Sequence, residues 1–208
     1  MDKKKVSVIV PGSPLGMTTP DRLEKIAETA RKYHVEKIKI TSAQRIKLLD
    51  LDSESVPAAL EELGGTMPPK VKKGVHSVQA CPGTMTCKYA RMDTLDFSEQ
   101  LTLSLSQFTL PGKVKVGVSG CGFNCCEGYV RDLGLFAKKS GWTLIFGGNA
   151  AGRPRIGDVI GEGLTDNEAI TLAEKCIRYY ADNAKKCERS ARLITRKGVD
   201  ELKESILA

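Results

Sequence analysis

Seven cysteines stand in this 208-residue chain, and four of them fall into two close pairs. The first pair lies in Ala80-Cys81-Pro82-Gly83-Thr84-Met85-Thr86-Cys87. The second lies in Ser119-Gly120-Cys121-Gly122-Phe123-Asn124-Cys125, with Cys126 directly after it. Thiols at C-x5-C and C-x3-C spacing, on loops rich in Gly and Pro, suit a cubane 4Fe–4S cluster. Four thiolates must converge on its corners, small residues let the backbone come close, and backbone N–H groups can then point at sulfur and offset its charge. Structural zinc sites use tighter pairs, so the first spacing fits zinc poorly. Two pairs of buried free thiols are the remaining alternative. Spacing alone does not choose between Cys125 and Cys126. Cys176 and Cys187 fall on predicted C-terminal helices and read as small core residues or idle thiols.

Such loops need strands to deliver them. Lys113 to Ser119 alternates and predicts a strand that ends at the second pair, and Val75 to Ala80 predicts one leading into the first. Cys87 to about Phe108 predicts helix with a break near Asp93, and Glu127 to Leu133 a short helix. Trp142 to Phe146 predicts a strand stopped by Gly147-Gly148, and Arg155 to Ile160 another. Thr165-Asp166-Asn167-Glu168 is a capping box that opens a helix to about Lys185. Glu188 to Leu207 also predicts helix. Upstream, Val6 to Val10 is β-branched and alternating, a strand signal. Thr19-Pro20 predicts the N-cap and first residue of a helix to about Tyr33. Lys37 to Thr41 predicts a second strand, and Val56 to Leu63 a short helix ended by Gly64-Gly65. Met67-Pro68-Pro69-Lys70 is the best linker candidate, so the chain divides at 66/67 into two parts. The fold class read from this order is α+β.

Composition narrows the chemistry. A hydrophobic content of 41% with 27% charged residues is that of a soluble globular protein able to bury a core. No apolar run approaches the roughly 20 residues of a membrane helix. The run Val6 to Val10, stopped by Pro11-Gly12, is too short for a signal-peptide core. The expected location is therefore the cytoplasm, with no membrane partner. There a disulfide framework is not expected, and an odd cysteine count would leave one unpaired. The net charge of +7 is compatible with simple solubility, nucleic acid or a strongly anionic small ligand. The basic residues are spread along the chain, and five Phe, five Tyr and one Trp make base-stacking platforms sparse, so no nucleic-acid partner is expected. No GxGxxG strand–turn–helix fingerprint for a nicotinamide or flavin cofactor is present.

At its cysteine loops the sequence resembles the siroheme-dependent sulfite and nitrite reductases. Cys81-Pro82-Gly83-Thr84 and Ser119-Gly120-Cys121-x3-Cys125 follow that family's cluster motif. Lys37 to Leu51, with Lys39, Thr41 and Gln44, resembles its Arg-x-Thr-x-x-Gln segment. Leu110-Pro111-Gly112-Lys113-Val114-Lys115 resembles its Leu-Pro-x-Lys-x-Lys segment. Gly147-Gly148-Asn149 with Arg153 and Arg155 resembles its glycine-rich segment after the cluster. The likeness spans roughly residues 5 to 180. The family's usual chain holds two pseudo-symmetric copies, whereas this one is similar to the small single-copy sulfite reductases of anaerobes.

The resemblance implies a small ferredoxin-like half-domain, 1–66, followed by an α/β/α-layered siroheme/4Fe–4S domain, 67–208. It implies Cys81, Cys87, Cys121 and Cys125 as cluster ligands, with Cys125 also joining siroheme. It implies six-electron reduction of sulfite to sulfide, with nitrite to ammonia as the alternative. A second alternative is an iron–sulfur electron-transfer or regulatory subunit without oxyanion turnover. Lys113 and Lys115 match the substrate-facing lysines and, as alternate strand residues, share a face. Lys39, Thr41, Gln44, Arg45, Asn149, Arg153 and Arg155 are candidates to receive the eight siroheme carboxylates, which gives the positive charge a specific use. Ser7, Val8 and Ile9 fill a region where the family usually has an arginine. His76 replaces another arginine before the first cysteine loop, and it can still bind an anion or donate a proton near neutrality. Electrons must come from a separate ferredoxin-like or flavoprotein donor. The single-copy layout predicts a homodimer in which Lys113 and Lys115 approach the partner copy's siroheme.

Overall fold

The computed structural model describes residues 4–65 and 74–207. Its chain separates into two compact units, Met1–Lys70 and Val71–Ala208. The linker expected at Met67 to Lys70 lies outside the described residues. No described helix is long and apolar enough to cross a membrane.

The first unit runs β1 (Lys5–Ile9), α1 (Pro20–Lys32), β2 (Ile38–Ile40), β3 (Ile46–Asp52) and α2 (Val56–Glu62). Its antiparallel sheet has the order β1-β3-β2. Thr19 caps α1 as expected, its hydroxyl accepting from the Arg22 N–H at 3.2 Å, with Pro20 at the first helical position. Ile26 and Ala30 of α1 meet Leu48, Leu51 and Leu60 in a small core. The strand β3 is absent from the sequence reading. Its alternation is broken by a bulge: Val6 opposes Leu51 but Val8 opposes Leu48, and Asp50 takes a left-handed φ of 56°. The extra residue shifts the period, so Leu48 and Leu51 both turn inward.

The second unit holds a five-stranded sheet of order β4-β5-β6-β7-β8. β4 (Gly74–Ala80), β5 (Lys113–Ser119) and β6 (Leu133–Lys138) are parallel, and β7 (Gly141–Phe146) and β8 (Asp158–Leu164) continue antiparallel. Four helices complete it: α3 (Thr94–Ser106), α4 (Asp166–Asn183), α5 (Ser190–Lys197) and α6 (Val199–Leu207). Val114, Val116 and Val118 of β5 bury themselves with Phe97, Leu101 and Leu105 of α3 and with Ala169, Ala173 and Ile177 of α4. Phe97 stacks on Trp142 at 4.3 Å, and the indole N–H donates to Asp166 at 2.6 Å. The capping box forms as read, with Thr165 and Glu168 bonded reciprocally.

Several elements differ from expectation. The helix expected over Cys87 to about Phe108 breaks near Asp93 as read, but only the part from Thr94 is α-helical, because Asp93 accepts from the Leu95 and Asp96 N–H groups and caps it there. The short helix expected over Glu127 to Leu133 is a single 3-10 turn, Gly128–Val130. The last strand starts at Asp158 rather than Arg155. The C-terminal helix is two, parted at Gly198, whose φ is 92°. β6 carries no strand signal in the sequence, because Leu133 to Ala137 is buried on both faces and lacks a polar alternation.

Candidate metal and cofactor site

Because β4 and β5 are adjacent and parallel, their C-terminal ends bring Cys81 and Cys121 side by side. The Cys81 N–H donates to the Val118 carbonyl at 3.1 Å and the Arg91 N–H to the Gly120 carbonyl at 2.7 Å, which ties the two loops together. The Gly120 N–H donates to Cys81 Sγ at 3.2 Å, and the Thr94 hydroxyl donates to the Cys81 carbonyl at 2.6 Å. Gly83 has a φ of 56°, and a Cβ there would lie 2.4 Å from the Thr94 hydroxyl oxygen, so only glycine allows this turn. All seven cysteines are free thiols; Cys81, Cys87 and Cys121 are half-buried and Cys125 is exposed.

Cys126 differs from its neighbour. It is buried, and its N–H donates to the Ser119 hydroxyl at 3.0 Å. Burial, reinforced by the nearby Cys81 and Cys125 thiols, pushes its pKa up to about 11. Cys176 is driven up further by complete burial in the core. Among the described residues, no three His, Cys, Asp or Glu side chains converge closely enough to hold one metal ion. A cubane is larger than an ion and takes its thiolates further apart. Four accessible free thiols, a backbone N–H directed at sulfur and a loop that tolerates only glycine are the donor set such a cluster needs.

The lysines lie on the other side of β5 from the core. With Val114, Val116 and Val118 facing inward, Lys113, Lys115, Gly117 and Ser119 share the opposite face. A Cβ on Gly117 would stand 2.4 Å from the Cys126 carbonyl oxygen, so the segment carrying Cys125 lies over that face. Lys115 is one alternate position away from Gly117, about 7 Å along the strand. Lys113 is exposed and Lys115 half-buried. The β4 register shifts between Val75 and Ser77, which makes His76 the bulged residue, and Ser77 pairs with Lys115. Bulges commonly re-aim a side chain beside a functional site. The three residues proposed for substrate chemistry thus occupy neighbouring positions on two paired strands.

Two further residues organise this face and were not singled out in the sequence. Arg131 donates through Nε to the Cys126 carbonyl at 3.2 Å and through Nη2 to Glu127 at 2.8 Å. Asp132 is fully buried. It accepts from the Lys115 N–H at 2.8 Å, from the Ser190 hydroxyl at 2.6 Å and from both Nε and Nη2 of Arg189. Burial alone would lower the Arg189 pKa, but the hydrogen bonds and charge of Asp132 outweigh it and raise it.

The carboxylate-binding candidates fall into two groups. In the first unit, Lys39 is exposed on β2, and Thr41, Gln44 and Arg45 form the tight turn between β2 and β3. The Thr41 hydroxyl accepts from the Arg45 N–H at 3.2 Å, and Gln44 takes a φ of 55°. In the second unit, Asn149 and Arg155 pair through both backbone hydrogen bonds at 2.9 Å. The Asn149 amide donates to the Arg153 carbonyl at 2.7 Å. The Arg155 guanidinium is bonded to Asp158 at 2.6 Å and to the Gly147 and Ile156 carbonyls at 3.0 Å. Asn149 and Arg155 therefore spend their side chains on building the loop, and Arg153 is exposed upon it. The loop borders a pocket of 880 Å³ that also takes in Arg189, Arg192 and Arg196. Their i, i+3, i+7 spacing, which puts all three on one side of a helix, was the available signal.

The rim of the cysteine loops is aromatic and basic. Tyr89 and Phe123 meet edge to face at 5.2 Å, and both are exposed. The Lys88 ammonium sits 5.0 Å from the Tyr89 ring. Arg91, Lys138 and Lys139 border the same 440 Å³ groove as Cys121.

Comparisons with known proteins meet this geometry from outside. Residues 72–208 match the family model described as the nitrite and sulphite reductase 4Fe-4S domain, and residues 2–65 match the nitrite/sulfite reductase ferredoxin-like half domain. The chain is 42% identical over 204 residues to an assimilatory-type sulfite reductase of Nitratidesulfovibrio vulgaris, covering 98% of this chain and 94% of that one. It is 31% identical to a nitrite reductase [NAD(P)H] of Bacillus subtilis, covering 96% of this chain but 25% of that protein. Among solved structures, dissimilatory sulfite reductase I superposes with a TM-score of 0.80 at 13% identity, covering 97% of this chain and 69% of that one. The NirA protein of Mycobacterium tuberculosis gives 0.70 at 15%, covering 96% and 37%. At those identities the structural likeness speaks to the fold.

Proposed function

The chain belongs to the nitrite and sulphite reductase family, and from that premise we propose that it reduces sulfite to sulfide with siroheme, a 4Fe–4S cluster and an external electron donor. The observation that carries this reading is the single face of β5 that holds Lys113, Lys115 and the overlying Cys125–Cys126 segment. Similarity across almost the whole length of an assimilatory-type sulfite reductase favours sulfite over nitrite as substrate.

In this reading Cys81, Cys87, Cys121 and Cys125 would hold the cluster, and Cys125 would also join it to siroheme. When bound, the two groups would relay the external donor's electrons to the oxyanion. The protein supplies the rest. The Lys113 and Lys115 ammonium groups attract the anion and donate hydrogen bonds as charge gathers on a departing oxygen. His76, re-aimed by its bulge, holds a proton for that oxygen. Arg131 fixes the Cys126 carbonyl and so positions Cys125. Lys39, Thr41, Gln44, Arg45 and Arg153 are the donors proposed for siroheme carboxylates, with Asn149 and Arg155 holding Arg153 in place. The half-domain would span 1–66 and the cofactor domain 67–208, in a cytoplasmic protein. Anaerobically purified protein is expected to show Soret and red bands and viologen-supported turnover of sulfite faster than nitrite. A cluster spectrum without those bands would favour an electron-transfer protein, and silence toward both anions a regulatory subunit.

The donor is proposed to be an acidic ferredoxin-like or flavoprotein that docks on the basic, aromatic rim of the cysteine loops. Lys138→Glu/Lys139→Glu should slow reduction by an acidic donor about tenfold and leave viologen-driven turnover unchanged; equal losses with both reductants would refute the docking role. A homodimer is proposed as the working unit. Since one chain carries both lysines and cysteines on one face, a sedimenting monomer with full activity would exclude it.

A further inference from the structure

One residue outside the two cysteine loops is built into both of them. Thr94 is the first residue of α3 and is fully buried. Its hydroxyl donates to the Cys81 carbonyl at 2.6 Å, and the same oxygen lies 3.9 Å from Cys81 Sγ. On the first loop, a Cβ at Gly83 would stand 2.4 Å from that oxygen and 3.1 Å from the Met92 carbonyl oxygen. On the second, a Cβ at Gly120 would stand 3.2 Å from the Thr94 methyl carbon and 3.2 Å from the same Met92 oxygen. The turn from Met92 to Thr94 is therefore wedged between one glycine of each loop. The support beneath it is rigid. Asp93 accepts from the Leu95 and Asp96 N–H groups at 3.0 and 3.2 Å, which fixes the helix start where Thr94 stands. Phe97, Leu101 and Leu105 then anchor α3 in the core. Thr94 cannot follow a loop that moves, so the loops must settle against it.

The placement matters for charge as well as shape. A hydroxyl carries one proton to donate. In the free thiol, Cys81 donates to the Thr94 oxygen and Thr94 donates to the Cys81 carbonyl. A thiolate that ligates iron has no proton to give, so its sulfur and that carbonyl are both acceptors, and the Thr94 proton serves one or the other. Either way the positive end of a buried O–H dipole lies beside Cys81. Negative charge on the thiolate sulfurs grows when a cluster gains an electron, and donors near sulfur stabilise that reduced state. The Gly120 N–H, 3.2 Å from the same sulfur, belongs to the backbone and survives any side-chain change. The Thr94 hydroxyl is the donor beside Cys81 that a substitution can remove.

We propose that Thr94 is a positioning residue that acts through Cys81: its hydroxyl fixes the first cysteine loop against the second and raises the reduction potential of the cluster. The proposal rests on the reading of the four cysteines as cluster ligands. The test is a redox titration, followed by electron paramagnetic resonance, of the full chain purified anaerobically as wild type, Thr94→Val, Thr94→Ala and Thr94→Ser. Valine and alanine lack the hydroxyl, and serine lacks only the methyl group. At the wild-type midpoint potential, the ratio of reduced to oxidised cluster is expected to fall about fivefold in Thr94→Val and Thr94→Ala. Thr94→Ser should match the wild type. Circular dichroism checks the fold, and Thr94→Ala decides the matter where the bulkier valine prevents folding. Iron lost from a folded Thr94→Ala chain but kept in Thr94→Ser would also support the hydroxyl's role. An unchanged potential in Thr94→Ala would overturn the proposal and leave the cluster reading intact. So would a change in Thr94→Ser as large as in Thr94→Ala, since packing of the methyl group would then be the cause. A wild-type chain that shows no cluster signal would overturn the cluster reading and the proposal with it.

Discussion

Cys125→Ser is expected to lower viologen-linked sulfite reduction more than about 100-fold, whereas Cys126→Ser keeps most of it. The two residues are adjacent, so the pair of variants holds sequence context nearly constant. Cys125 presents an exposed sulfur, while Cys126 is buried with its backbone N–H fixed by Ser119. A sulfur enclosed by the protein has no open side on which to meet a cluster, whereas the Cys125 sulfur does. Serine in place of Cys125 leaves three sulfur ligands and removes the proposed link to siroheme. Iron and acid-labile sulfide should fall with the activity. The reverse result, with loss in Cys126→Ser and retention in Cys125→Ser, would move the fourth ligand to Cys126.

The second large effect should be on stability. Asp132→Ala removes a fully buried carboxylate that answers Arg189, Ser190 and the Lys115 N–H together. The Arg189 guanidinium is then left partly buried without its partner, and breaking such a pair costs ~3–5 kcal/mol. For a chain of this size that corresponds to a fall of roughly 10 °C in melting temperature. Chemical denaturation should show the loss in midpoint, and Arg189→Ala added to Asp132→Ala should cost much less than a second increment of the same size. Additive losses would mean that the two residues stabilise the fold separately.

The parts legible in the sequence are those with local signals. The alternation of Lys113 to Ser119, the Thr19-Pro20 start and the Thr165–Glu168 box each depend on a few neighbouring residues, and each forms as read. β3 was hidden because the bulge at Asp50 breaks its period, and β6 because burial on both faces removes the period altogether. The cysteine loops could be found from spacing, but the choice between Cys125 and Cys126 depends on burial, which spacing does not encode. In sequence Arg153 forms one set with Asn149 and Arg155, yet in the fold those two are committed to Arg153's own loop. Arg131 and Asp132 lacked a local pattern, since Asp132 acquires its meaning from Arg189, 57 residues later.

That long reach has a consequence for synthesis. Translation at about 5–20 residues per second leaves Asp132 waiting roughly 3 to 11 s for Arg189 to be made. In that interval its carboxylate lacks the Arg189 guanidinium, and β5 at Lys115, whose N–H donates to it, lacks its final anchor. All four cysteines proposed to hold the cluster have been made by then. Iron delivered during elongation would meet loops whose supporting sheet is still unlocked, so cluster insertion is expected to succeed better after the C-terminal helices are made.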